Sequence, residues 1–326
     1  MNYLKYLREK FSDLYDFDEF LEEFRRRCGA SPDYTTIAST LVDANALSTT
    51  REQQAMTAHV VFQCLNFMHY GQPLFEIRPA LADMLMNTHL KKVPKDIVKM
   101  PFPSMQLEVP YGILKSADDT GKEFNLMSVF VCYDPTRSSK MRILGNFDPT
   151  DKSIRHDDLN HFYVLDFNNG DNVEEIINSI KSYDPLQHHS EGFIHQFDTY
   201  VKTSFAFIIN CILYITNSEA DIVRQDRAGE LRKKLKNVKS PGKRKKIERQ
   251  ISNAGSGRYV VGSKIKVSRN EPKEHTPPSG ETHGKHAYQY KVMGHWRHAH
   301  GKHIWIKPHL RGPELAEIIN KPYIVG

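Results

Sequence analysis

The stretch 192–217 constrains this chain more than any other. Phe193, Phe197, Tyr200, Val201 and Phe205 recur at helical spacing, and Phe207, Ile208, Cys211, Ile212 and Ile215 follow so closely that the second half is apolar all round. A helix without a polar face has to be covered on every side. The spacing therefore predicts a central buried helix with the other layers packed against it. Each side chain fully buried there contributes about 1.5–3 kcal/mol before conformational entropy is set against it.

The covering layers can be read from the periods on either side. Residues 1–100 read as helical: Tyr3, Leu4, Leu7, Phe11 and Leu14 recur at three-to-four spacing, and Phe17 to Phe24 continue the pattern to a stop at Cys28-Gly29. A second helix is expected over 51–70, ending near Gly71, and a third over 77–89. From Pro101 the period moves toward two, and 105–110, 124–133, 141–147 and 160–167 read as four strands of an antiparallel sheet. Asp171 is expected to cap a helix over 173–183. The fold class expected is α+β, with N-terminal helices, a central antiparallel sheet packed on the buried helix, and a basic C-terminal region with a β-hairpin. The domain expectation divides it at 1–100, 101–223 and 224–326.

Charge is divided along the same lines. From Arg224 onward there are 24 Lys+Arg against 8 Asp+Glu, net +16, leaving 21 against 31, net −10, for the preceding part. An acidic body with a basic tail points to a polyanionic partner for the tail. The run 224–249 alone holds 12 Lys+Arg against three acids, with Lys243, Arg244, Lys245 and Lys246 consecutive. Such a run is either a solvated helix or flexible segment, or a contact to nucleic acid or ribosome, and a backbone contact of that kind weakens steeply with salt. The four cysteines form no CxxC pair, and the longest apolar run, 205–215, is about half of the ~20 residues a membrane span needs. A cytoplasmic protein with no membrane partner is expected.

The candidate site lies in 288–312. It contains both tryptophans, Trp296 and Trp305, and eight of the 16 histidines fall between His275 and His309. Alternation through Tyr288, Tyr290 and Val292, then Ile304 and Ile306 after Gly301-Lys302, reads as a β-hairpin. Residues two apart share a face, so Trp296, His298 and His300 are expected to point one way and His295 and Arg297 the other. Three chemistries fit. Crowded imidazoles can hold zinc, but the spacing matches no zinc signature, no thiolate is near and the local charge is positive, so no metal or cofactor is expected. Two histidines as general acid and base, His295 or His298 among them, with Arg297, Lys302 or Arg311 on the phosphate are the parts of a metal-independent ribonuclease. A binding surface needs least: Trp296 and Trp305 pack or stack while Arg297, Lys307 and Arg311 pair with phosphates or carboxylates.

Three segments together resemble the type V-A anti-CRISPR family whose members suppress biogenesis of the CRISPR effector nuclease and are carried by phages and plasmids. They are the apolar helix closing in Asp221-Ile222, the Val261-Gly262 segment, and Gly294-His295-Trp296 followed by Gly301 and Trp305. Val292-Met293 stand where the family has two arginines, which removes two positive charges from that edge. The resemblance implies a protein of a mobile element, acting in the bacterial cytoplasm to evade host defence, and a non-catalytic role is expected of it. Its implied partners are the nascent peptide of a type V-A CRISPR nuclease, recognised during translation, and the mRNA or ribosome, with loss of that mRNA as the result. The alternatives are the ribonuclease or a nucleic-acid-binding accessory protein.

Overall fold

A computed structural model describes residues 26, 51–117, 123–136, 138–147, 160–180, 191–252, 257–265, 290–299 and 302–311. The helices expected before residue 50, the histidines His275, His283, His286 and His300, and the aspartates Asp148, Asp151, Asp157 and Asp158 lie outside these. Six helices are described: α1 (Arg51–His69), α2 (Pro79–Met86), α3 (Val173–Asn178), α4 (Glu191–Ile215), α5 (Arg227–Lys236) and α6 (Pro241–Ser252).

The strands divide into a large sheet and a C-terminal hairpin. The large sheet is built from β1 (Leu74–Ile77), β3 (Ser104–Glu108), β4 (Lys115–Ala117), β5 (Glu123–Cys132), β6 (Lys140–Phe147), β7 (Asn160–Asp166), β8 (Ile222–Gln225) and β9 (Arg258–Val261). Its order is β7-β6-β5-β3-β1-β9-β8, with β4 on β5. The four expected strands are present and antiparallel to one another. The sheet as a whole is mixed, because β1 runs parallel to both β3 and β9. Two details differ from the sequence reading. Leu74–Ile77 is a strand and the helix after it begins only at Pro79, and Asn172 rather than Asp171 caps α3, its side chain accepting from Glu175 N. The carboxylate of Asp134 accepts from Thr136 N and Oγ1, closing a turn as aspartate commonly does.

Strand alternation gives the sheet two apolar faces. Met105, Leu107, Val129, Val131, Met141 and Ile143 face α4 and share one core with it. Tyr163 on β7 meets Phe205 of α4 with ring centroids 6.2 Å apart. The opposite face carries Phe130 and Leu144 and receives α1, where Phe67 meets Phe130 edge-on at 4.9 Å and Gln63 Nε2 donates to Arg142 O. The sheet therefore separates α1 from α4, whereas the sequence reading put the N-terminal helices and the sheet together on the central helix. On its other side α4 packs against α2 and α3. Phe205, Phe207, Ile208, Ile209, Cys211 and Ile212 are all at most 1% exposed, as an all-round apolar helix requires.

Long-range ion pairs tie the C-terminal strands into the body. Arg258 on β9 reaches Glu76 on β1 at 2.6 Å and Glu108 on β3 at 2.9 Å. Burial holds the Glu108 carboxyl above its usual range, opposed by Arg258 beside it. On α1, burial and then the Arg142 guanidinium lower the pKa of His59 to about 3. The unfolded chain binds a proton here below about 6.5 while the folded chain does not. The stability tied to the neutral ring is complete above that pH and is lost as pH falls toward 3. Between pH 7 and pH 5 a loss of about 2 kcal/mol is expected, with 1.36 kcal/mol for each pH unit. Urea midpoints at the two pH values measure it, and His59→Gln is expected to shrink the difference. An equal drop in both proteins would remove His59 from this account.

Candidate functional site

The C-terminal hairpin is seated on α4 by two indoles. Its strands are β10 (Tyr290–Val292), β11 (Gly294–Ala299), β12 (Lys302–Ile306) and β13 (His309–Arg311), and one register runs from Tyr290 opposite Arg311 to Ala299 opposite Lys302. The ladder is interrupted near Pro308, which has no N–H to give. β11 also pairs in parallel with β2 (Thr88–His89), the short strand after α2.

The inner face is a polar clasp inside an apolar contact. Trp296 is buried, and its Nε1–H donates to Asn210 Oδ1 at 2.8 Å. The same amide donates through Nδ2 to Leu85 O and Thr88 O, at 3.1 and 2.9 Å. Asn210 is 1% exposed, and these three bonds are what make a buried amide tolerable. Trp305 stacks on Trp296 with centroids 6.3 Å apart, meets Tyr214 edge-on at 5.2 Å, and donates to Thr88 Oγ1 at 3.2 Å. Thr88 in turn donates to Met84 O. Gly294 completes the seat: its N–H donates to Asn87 O, and a Cβ there would lie 2.6 Å from Thr88 Oγ1 and 2.8 Å from Pro308 Cδ.

The segments that carried the family resemblance meet around the same helix. Asp221, six residues past the end of α4, accepts Gly262 N–H through its backbone carbonyl and bonds Ser263 Oγ and Lys264 N through its carboxylate. Gly262 has φ +81°, and a Cβ would lie 2.7 Å from Leu81 Cβ. Both reasons demand glycine there. Ile222 pairs with Val261. These motifs are thus the joints by which α4, α2, β9 and the hairpin are fastened.

The outer face of the hairpin carries His295 and Arg297, both exposed. Across the ladder stand Ile306 opposite His295 and Ile304 opposite Arg297, with Ile304 37% exposed. The face therefore sets one imidazole and one guanidinium against two aliphatic side chains. Lys307 and His309 are exposed beyond it, with His309 Nδ1 3.1 Å from Lys307 O. His298 lies on β11 and Arg311 on β13. Trp296 has its indole enclosed and its N–H satisfied, so it anchors the hairpin instead of offering a stacking surface, and Trp305 is half-buried beside it. Among the described residues no group of three or more His, Cys, Asp or Glu is placed to hold a metal, and no helix is long and apolar enough to cross a membrane.

Lys243, Arg244, Lys245 and Lys246 stand elsewhere, exposed on α6. The basic run forms a helical pair, α5 and α6, inserted between the edge strand β8 and its antiparallel neighbour β9. Asp226 caps α5 by accepting Gly229 N–H at 2.8 Å. Leu231, Leu235, Ile247 and Ile251, at four-residue spacing, give each helix an apolar stripe, and all are at least partly buried.

A family model described as AcrVA2-like, the anti-CRISPR type V subtype A2 family, matches residues 75–319, three quarters of the chain. The chain belongs to this family. The match opens on β1 and runs past the hairpin, so it takes in the sheet, α4, the helical pair and the indole clasp. A solved structure described as the crystal structure of AcrVA2 superposes with a TM-score of 0.50 over 96% of this chain and 97% of that one, at 10% identity. At that identity the likeness is one of fold. No curated protein matches the chain.

Sequence reasoning missed Asn210, Thr88 and Tyr214 as the hairpin's seat. One trace was available: Asn210 is the single amide inside the run 205–215, and an amide there needs internal partners. Thr88 carried no comparable mark.

Proposed function

We propose that this AcrVA2-like protein inhibits a type V-A CRISPR system by recognising the emerging N-terminal part of the nuclease during translation and lowering the corresponding mRNA in the bacterial cytoplasm. Family membership over residues 75–319 carries the anti-CRISPR class. The finer reading is supported by the outer hairpin face, where Arg297 and His295 stand opposite Ile304 and Ile306. Two isoleucines across the ladder from a guanidinium and an imidazole, on a hairpin held by its indoles, suit a peptide with apolar and acidic side chains better than a phosphate alone. The net −10 body and net +16 tail fit an inhibitor that takes a peptide while staying near RNA or the ribosome.

The test follows the message of a target nuclease in cells. Synonymous recoding of its N-terminal codons is expected to leave mRNA loss intact, and frameshifting them to abolish it. Arg297→Ala is expected to weaken the loss several-fold without changing protein yield. Equal loss from the frameshifted message would overturn peptide recognition. A second reading, metal-independent ribonuclease activity, keeps one observation in its favour: His295 and Arg297 share an exposed face two residues apart. RNA cleavage in EDTA that His295→Ala abolishes would establish it.

A further inference from the structure

The helical pair α5–α6 is the most concentrated charge on the molecule. Residues 227–252 contain 11 Lys+Arg against 2 Asp+Glu, net +9 in 26 residues. On the body several cations are matched: Arg258 by Glu76 and Glu108, Arg78 by Glu76, Lys115 by Glu123. On the pair, none of Arg232, Lys233, Lys234, Lys236 or Lys243 to Lys246 is in an ion pair among the described residues. Like charges four apart, such as Arg232 and Lys236, cost each helix a few tenths of a kcal/mol. The apolar stripes of Leu231, Leu235, Ile247 and Ile251 hold this repulsive array in a fixed shape.

What the pair lacks decides which polyanion it fits. Residues 227–252 include no Phe, Tyr, Trp or His. Single-stranded RNA is held chiefly by stacking its bases on aromatic rings over a charged groove, and the pair has no aromatic ring to offer. Double-helical RNA hides its bases and presents regularly spaced phosphates, which require only rigid cations. α6, with 12 residues, extends about 18 Å. That length lets it follow several successive phosphates along one strand.

We infer that α5–α6 is an arm that docks the phosphate backbone of double-helical RNA without reading sequence, led by Lys243, Arg244, Lys245 and Lys246. Its cellular role rests on the translation-coupled reading above, where folded RNA of the ribosome is the abundant duplex; binding itself does not. The full-length protein is titrated onto a 20-base-pair RNA duplex and a 20-nucleotide single strand across a salt series. The duplex is expected to bind more tightly. Replacing all four residues by alanine is expected to make the slope of log K against log salt shallower by about 3–4, from roughly 0.9 for each phosphate that is no longer neutralised. Lys243→Arg with Lys245→Arg and Lys246→Arg is expected to keep the wild-type slope, which separates charge from folding. An unchanged slope in the alanine variant, a single strand bound as tightly as the duplex, or poly-glutamate competing as well as RNA would each overturn the inference. If duplex binding fails while frameshift-sensitive mRNA loss persists, the arm inference alone falls. The reverse outcome removes only the peptide reading.

Discussion

Ile212→Asp is expected to leave no folded protein. Ile212 is 0% exposed in the last turn of α4, inside the core that α4 shares with the sheet and α2. The substitution removes about 1.5–3 kcal/mol of apolar burial and adds a carboxylate with no partner. A buried unpaired charge costs several kcal/mol even after relaxation. Together these approach the whole stability of a typical domain, about 5–15 kcal/mol. Ile212→Val, which only shortens the side chain, is expected to cost about 1 kcal/mol. Soluble yield, far-UV circular dichroism and urea midpoints compare the pair. An aspartate variant within about 2 kcal/mol of wild type would mean that α4 is not enclosed, and the layer order described above would be wrong.

The same helix illustrates what sequence can and cannot say. Its burial was legible because the apolar residues leave no polar face, a property of consecutive side chains alone. The four strands β3, β5, β6 and β7 were legible for the same local reason, as period-two runs between turn residues. What could not be read was which strands meet. β1 is four residues long, follows a predicted helix, and gains its place by pairing with β3 and with β9, whose Arg258 is 182 positions from Glu76. Pairing at that separation is chosen by the whole core and leaves no local period. The position of α1 on the far side of the sheet was hidden likewise. Amphipathicity says that a helix has a buried face, not which layer receives it.

At the candidate site the division falls differently. Alternation correctly separated Trp296 from His295 and Arg297, because a strand's faces follow from its backbone. The roles did not follow. Sixteen histidines with eight near the hairpin suggested a chemical centre, yet the outer face holds two isoleucines opposite Arg297 and His295. The basic run was legible as charge. Its helical form depended on the apolar stripes, which are easily overlooked among so many lysines.

Trp296→Ala is expected to release the hairpin before the rest of the protein unfolds. Emptying the site costs about 3–5 kcal/mol for a large aromatic. It also leaves Asn210 Oδ1, inside a 1% exposed side chain, without the indole N–H that satisfies it, a further ~1–3 kcal/mol. Trp305 keeps its bond to Thr88 and its contact with Tyr214 but loses the neighbouring ring. Trp296→Phe retains most of the ring and removes only the donor, so the difference between the two variants isolates packing from hydrogen bonding. The chain has only these two tryptophans, so fluorescence of either variant reports Trp305 and hence the hairpin alone, while circular dichroism follows α4 and α1. In the alanine variant the fluorescence transition is expected at clearly lower denaturant than the helical one, with the Phe variant between it and wild type. Because Arg297 is presented by the strand that Trp296 anchors, loss of inhibition in cells should track the fluorescence transition rather than the helical one. Coincident transitions with a midpoint unchanged from wild type would show that the indole clasp does not hold the hairpin, and the outer face would then have no fixed geometry with which to select a peptide.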